Sequence, residues 1–509
     1  MTRLVVVGNG MAGARLVSEV RARDPHIRIT VFGAETGRPY NRALLSNVLA
    51  GTMTPGQVRM LDAEWYADHA VTALPGVEVT AIDREAREVL TARGRREPYD
   101  VLVLATGGEA VVPPLPGAER AVAFRTMGDC EAILAAAGTA RRAVVVGGGL
   151  LGVEAARGLA GRGLPVTLLH LAGHLMERQL DAEAGLVLGE SLAGLGVEIR
   201  TGVTVREILD GGVRLAAGAG TGTAAGTAGT AGVTAGTAEA TAASPSGAGE
   251  SGAGEPGAGE EIVEADLVVL ACGVRPVTRL ARDAGLAVAR GVVVDDEMRT
   301  GDPSVFAIGE CAEHDGVVYG LVAPAWEQAA VVADLVTATD RTARYRGSRP
   351  VTRLKARGVE LAAMGETHLT EDEAEIVRFS HRTRGAYRKL VIRDGRLVGA
   401  ILLGETPAVG TVTRLFDHGG PLPADRAGLL FPGLSGGAAA DSPVRMPDTA
   451  RVCQCNNVTK GRIRSCWESG ARDVAAVAAA TRATTGCGSC RDAVEGIVGW
   501  LCEQEGIPA

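Results

Sequence analysis

Two glycine-rich hexads and two cysteine pairs carry the residue types that can do chemistry in this chain. Gly8-Asn9-Gly10-Met11-Ala12-Gly13 and Gly147-Gly148-Gly149-Leu150-Leu151-Gly152 each follow a short Val/Leu run and open onto a helix-like stretch. In such a turn the first glycine permits a tight bend and the second lets the backbone approach a pyrophosphate. The third lets helix and strand pack closely, and the helix N-terminus meets the phosphate charge. Two such turns imply two dinucleotides, and one of them must differ chemically for electron transfer to make sense. After the first turn, Glu35 stands at the offset where an acid binds a ribose hydroxyl pair. After the second, the strand ends at His170, which could hydrogen-bond the ribose or simply cap the strand edge. No Arg stands there to select a 2′-phosphate, which favours NADH over NADPH.

The cysteines are Cys453-Gln454-Cys455 and, after 31 residues, Cys487-Gly488-Ser489-Cys490. Each pair can hold a metal centre from a single loop. Four thiolates suit a [2Fe–2S] cluster and also a structural Zn²⁺. Cys466 and Cys502 fall on helix-like stretches and read as small buried apolar residues, as does Cys311.

The elements that must position these groups are α/β. Strands are expected over 4–7, 27–32, 143–146 and 165–170, and helices over 12–23, 150–161 and 326–337. The two strand–turn–helix openings read as duplicated dinucleotide-binding folds. Residues 216–261 are low complexity, with Val233 the sole large aliphatic residue among Gly, Ala, Thr, Ser and Glu, and read as a swollen, solvent-exposed hairpin loop before a strand over 265–271. Residues 351–404 alternate as strands about an Asp394-Gly395 turn, and 417–450 read as a linker. In the tail, helices are expected over 459–469 with a Thr cap and over 473–481 with an Asp cap.

Of 509 residues, 46% are hydrophobic, enough for large cores, and the formal charge of −8 argues against a chain that binds nucleic acid through its overall charge. No export signal or apolar run long enough to span a membrane is visible. Six of the nine cysteines crowd into the tail, which points to cytoplasmic thiols serving a metal or cluster rather than to a disulfide framework.

Tyr99-Asp100-Val101-Leu102-Val103-Leu104-Ala105-Thr106-Gly107 resembles the strand-to-turn segment of two-dinucleotide flavoproteins, and TGDPSVFAIGE (300–310) resembles their second FAD signature. Residues 1–335 are thus similar to the FAD- and NAD(P)-dependent pyridine-nucleotide oxidoreductases. PYNRALLSNVLAG (39–51), LLHLAGHLMERQLD (168–181) and AIGECAEHDGVVYGLVAPAWEQA (307–329) resemble the flavin module of assimilatory nitrite reductase large subunits and nitrate reductase electron-transfer subunits. The C-terminal block resembles the bacterioferritin-associated-ferredoxin-like [2Fe–2S] domain. Stretch 38–51 lacks the cysteine pair of the disulfide reductases of this fold, and Asn47 stands where many ferredoxin reductases have a Lys.

That resemblance implies an FAD-binding domain at 1–114 and 291–338 and an NAD(P)H-binding domain at 115–290. An α+β dimerisation-like or interface domain would follow at 345–415, a linker at 416–450 and a [2Fe–2S] domain at 451–505. FAD would be held at Gly8, Gly10, Gly13, Glu35, Arg42, Val79 (through its backbone), Thr106, Gly107, Gly309 and Glu310. NADH or NADPH would sit at Gly147, Gly149 and Gly152. Glu154 would lie near the nicotinamide, unless it is a solvated helix carboxylate. Cys453, Cys455, Cys487 and Cys490 would bind the cluster. No acid–base side chain is required, so no catalytic residue is assigned. The expected activity is hydride transfer from NAD(P)H to FAD, then single electrons through the cluster to a partner protein, expected to be a molybdopterin nitrate reductase catalytic subunit. No sirohaem-type second cysteine set follows, so reduction of nitrite on this chain is not expected. The alternatives are a ferredoxin- or rubredoxin-type reductase, half of a split nitrite reductase, or a redox sensor. A homo-oligomer is compatible with all of them.

Overall fold

The computed structural model of the chain describes residues 2–216, 261–354, 356–404, 408–431, 446–453, 456, 458–484 and 490–506. Apolar runs bounded by glycine turns build two parallel sheets. The first has the order Val305–Ala307, Val101–Leu104, Arg3–Val7, Arg28–Gly33, Val71–Pro75. Its strand Val305–Ala307 comes from beyond the second glycine turn and pairs parallel with Val101–Leu104. Helices Met11–Arg23 and Val322–Val336 pack together. The second helix starts four residues before its expected position because Pro324 lies in its first turn, where a missing N–H costs nothing.

The second parallel sheet has the order Val197–Thr201, Val166–His170, Ala143–Val146, Leu267–Leu270, Val122–Ala123. Ala143–Val146 is buried throughout, as its position in mid-sheet demands. The low-complexity segment 217–260 lies outside the described residues. Its flanks form an antiparallel pair, Gly212–Leu215 with Ile262–Glu264, while Leu267–Leu270 joins the parallel sheet.

A five-stranded antiparallel sheet follows, and its central hairpin, Ala386–Arg393 with Arg396–Leu403, turns at Asp394-Gly395. Both turn residues have positive φ (52° and 69°), the type I′ geometry that matches strand twist. Tyr387, Ile401 and Leu403 share a core with the second parallel sheet. On the opposite side the sheet packs helix Val409–His418. The linker expected over 416–450 needs correction up to residue 431. Helix Ala427–Leu430 buries Leu429 and Leu430 in the same core, because even two leucines in a Gly/Pro-rich stretch gain by covering an apolar sheet face.

In the tail, Thr459 caps helix Lys460–Glu468 through the N–H of Arg462, and Asp473 caps Val474–Thr481 through the N–H of Ala476. Helix Arg491–Glu505 completes a core around the fully buried Trp467. Among the described residues, no helix is long and apolar enough to cross a membrane.

Candidate functional site

The two glycine turns are built alike. Gly8 and Gly147 have φ of +114° and +111°, and a Cβ at either would lie 2.1 or 2.4 Å from a backbone carbonyl oxygen of the neighbouring strand. A Cβ at Gly13 would meet the carbonyl oxygen of Gly8 at 1.9 Å, and one at Gly152 that of Gly147 at 1.7 Å. Gly10 and Gly149 differ, since a Cβ there would touch nothing within 4 Å. The middle glycine of each turn therefore presents bare backbone to open space at a helix N-terminus, which is what a pyrophosphate requires.

A cavity of about 540 Å³ runs from the first turn to the helix of the second. Gly8, Gly10, Glu35, Arg42, Val79, Thr106, Gly107, Gly309, Glu310 and Glu154 all line it. Gly13 packs beneath the turn, and Gly147, Gly149 and Gly152 form the second turn outside this lining, although Leu150 and Leu151 reach it. Glu154 is 3% exposed on helix Leu150–Ala160, so the solvated-carboxylate reading does not hold. Thr106 donates its hydroxyl to Val277 O at 2.7 Å, tying the first sheet's turn to the strand returning from the second domain.

Several groups in or next to the lining escaped the sequence reading. Arg125 is ion-paired with Glu310 across 185 positions, and its carbonyl accepts from Arg42 at 3.1 Å. Tyr40 donates to Glu35 at 2.8 Å, and burial, with the neighbouring Glu35 opposing Arg42, pushes its hydroxyl up to about 12. Gln328, fully buried, accepts the N–H of Gly309 at 2.7 Å. No local motif marks Arg125, and nothing in the stretch 307–329 marks the bond of Gln328 to Gly309. Cys311 is buried and bonded to backbone carbonyls, and burial pushes its thiol up, as suits a packing residue.

His170 is engaged within the chain through both ring nitrogens. Its Nδ1 accepts the N–H of Gly148 at 3.0 Å, and its Nε2 faces Glu177 Oε2 at 2.9 Å, so the ring ties the second turn to the segment that follows its own strand. Asn47 Nδ2 lies 3.5 Å from Met53 Sδ.

Of the four cluster cysteines, Cys455 and Cys487 lie outside the described residues. Cys453 and Cys490 are both buried in the tail's core, and the N–H of Thr484 points at Cys490 Sγ at 3.2 Å. Two buried cysteine sulfurs, one of them receiving a backbone N–H, fit part of the ligand set of an iron–sulfur cluster. Among the described residues no group of three or more potential metal ligands gathers.

One cavity lined by the first glycine turn and by the helix that the second turn opens, together with a cysteine-bearing domain, defines an NAD(P)H-dependent FAD oxidoreductase with a [2Fe–2S] domain. The chain belongs to the pyridine nucleotide-disulphide oxidoreductase family, whose model matches residues 2–329. Residues 350–419 match the rubredoxin NAD+ reductase C-terminal domain, and 451–500 the BFD-like [2Fe-2S] binding domain. The chain is 36% identical to the Bacillus subtilis (strain 168) nitrite reductase (NAD(P)H) over 97% of its own length and 57% of the relative's. It is 33% identical to the assimilatory nitrate reductase electron transfer subunit of the same organism, over 99% of this chain and 60% of that one. The chain thus spans less than two thirds of these relatives. A crystal structure of a covalent putidaredoxin reductase–putidaredoxin complex shares the fold, at 24% identity and a TM-score of 0.69, over 83% of this chain and 94% of that one.

Proposed function

We propose that this chain collects electrons from NADH and hands them singly to a separate redox protein, a molybdopterin nitrate reductase catalytic subunit. The observation that carries this reading is the shared cavity, where Glu154 from the second nucleotide fold lines the same space as Gly10, Thr106 and Glu310 of the first. When bound, FAD accepts a two-electron reductant and yields single electrons, which a [2Fe–2S] cluster can relay. The chain's own part is placement. Gly10 and Gly149, with open space beyond their backbones, would receive the two pyrophosphates, and Glu35, held by Tyr40 and Arg42, would bind the first ribose. Arg125 and Glu310 hold one another across the cavity mouth between the two folds. Cys453, Cys455, Cys487 and Cys490 would hold the cluster, and thiolates of this kind suit a cytoplasmic setting.

The relatives' names support the reading in part, since one of them is a nitrate reductase electron transfer subunit. The identity to nitrite reductase favours a second reading, the flavin portion of a nitrite-reducing assembly. Metal analysis with an NADH-driven assay separates these. Iron near two per chain, with electrons passing to a molybdopterin nitrate reductase and not to a sirohaem protein, supports the first. Zinc in place of iron, or transfer to the sirohaem protein alone, overturns it.

A further inference from the structure

The tail domain is held against the wall of the flavin cavity at two separate places. At the first, Arg451 Nη2 meets Glu327 Oε1 at 2.5 Å, with both side chains about a quarter exposed. Ser348 Oγ donates to the other oxygen of the same carboxylate, so Glu327 is oriented before Arg451 arrives. Glu327 lies two residues beyond Ala325, which lines the cavity, and Arg451 lies two residues before Cys453. One ion pair therefore bridges the cavity wall and a cluster-binding strand.

At the second place, Arg482 donates to Gln57 O at 3.2 Å and to Arg59 O. The segment it grips is tied to the cavity wall. Asn41 N–H bonds Val58 O at 2.7 Å and Met60 N–H bonds Pro39 O at 2.8 Å, and Pro39 and Tyr40 line the cavity. On the tail side, Arg482 O accepts Asn456 Nδ2 at 2.6 Å, which joins a residue three past Cys453 to one eight before Cys490. Both contacts thus run from segments that adjoin the cavity lining to the parts of the tail that carry Cys453 and Cys490.

We propose that Glu327 and Arg451 form a docking pair that seats the cluster domain against the flavin cavity and so positions the within-chain electron donor and acceptor. This rests on the electron-transfer reading above. Each two-electron reduction by NADH is matched by two one-electron deliveries to the acceptor protein, so no further reductant is called for. Neither residue lines the nucleotide sites, and their role is to position the cysteine-bearing domain.

The test reverses the charges singly and together, as Glu327→Arg, Arg451→Glu and the double variant, in the full chain. Rapid mixing with NADH follows flavin bleaching and the reduced-cluster EPR signal, and small-angle scattering of the same proteins, with and without cofactors, measures the radius of gyration. Each single reversal turns a close interfacial pair into a like-charge contact. It is expected to slow cluster reduction by about tenfold, with flavin bleaching unchanged and the radius increased. The double variant should recover both. Single variants that match the wild type in rate and radius overturn the proposal, as does a double variant that recovers neither. If NADH fails to reduce the wild-type cluster, the electron-transfer reading falls, and the scattering series decides the docking pair by itself.

Discussion

The imidazole of His170 occupies the space left by the missing side chain of Gly148. A Cβ on Gly148 would lie 2.6 Å from His170 Cγ, and the glycine's N–H is bonded to Nδ1. With Nδ1 accepting, the ring proton sits on Nε2, facing Glu177. His170 is thus a brace for the nucleotide turn. His170→Ala strips the partner from a buried backbone N–H, at a cost of about 1–3 kcal/mol. The expected outcome is a KM for NADH raised about tenfold, with FAD content unchanged. His170→Asn, whose amide oxygen can still accept, should recover most of it. Steady-state dye reduction checks this, and an unmoved KM for His170→Ala refutes it.

What was legible beforehand was local. Glycine spacing specified both turns, and the caps Thr459 and Asp473 could be read because a cap and its N–H lie three residues apart. Arg125 with Glu310 and Gly309 with Gln328 were not legible, because partners 185 and 19 positions apart meet only after the sheets form. The bond between His170 and Gly148 was not legible from strand-end position alone. Gly148 is required by no hexad rule, and that surplus was the available signal. Helix Ala427–Leu430 was hidden for a similar reason, since its two core leucines sit in a stretch whose composition says linker.

The low-complexity insert is expected to be dispensable. Its described flanks already pair, with Val213 opposite Val263 and Arg214 opposite Ile262, so a short turn can join them. Replacing 218–259 by a few residues lowers the closure cost by about 1–2 kcal/mol. The deleted protein should keep its FAD and melt at the same temperature or slightly higher. Loss of FAD or a lower melting temperature would show that the segment is structural.

Asp181 gives the junction of the second nucleotide fold and the antiparallel sheet a defined pH dependence. Burial pushes its carboxyl up, but the N–H of Ala184, the hydroxyl of Tyr387 (2.7 Å) and the ammonium of Lys389 (3.0 Å) outweigh this and hold it below its usual value. A lowered carboxylate contributes stability that is complete above its unfolded value of about 3.9 and is lost as pH falls through the folded one. Asp181→Asn should therefore cost about 2 kcal/mol at neutral pH, with the gap from wild type closing below about pH 4. Paired thermal melts across that range test it, and a gap that stays constant with pH contradicts the assignment.

The two kinds of glycine within one turn should fail in different ways. Gly149 has extended backbone (φ −74°, ψ −178°) and free space beyond its Cα, so Gly149→Val can fold. Its side chain would then stand where the pyrophosphate approaches. Misplacing a bound group by even an ångström costs about a hundredfold, so NADH-dependent turnover should fall at least that far. The melting temperature and FAD content should hold, because the first turn is untouched. Gly152→Ala drives a methyl to 1.7 Å from Gly147 O, which forces helix Leu150–Ala160 off its strand. Overpacking of that kind costs about 1–3 kcal/mol, so this variant should lose stability and NADH binding together. In the first turn, Gly10→Val should yield folded protein without FAD, while Gly13→Ala should destabilise the domain. Melting curves set beside flavin absorbance and NADH kinetics sort the four variants. A Gly149→Val protein that is as active as wild type would remove the second turn from the NADH site altogether.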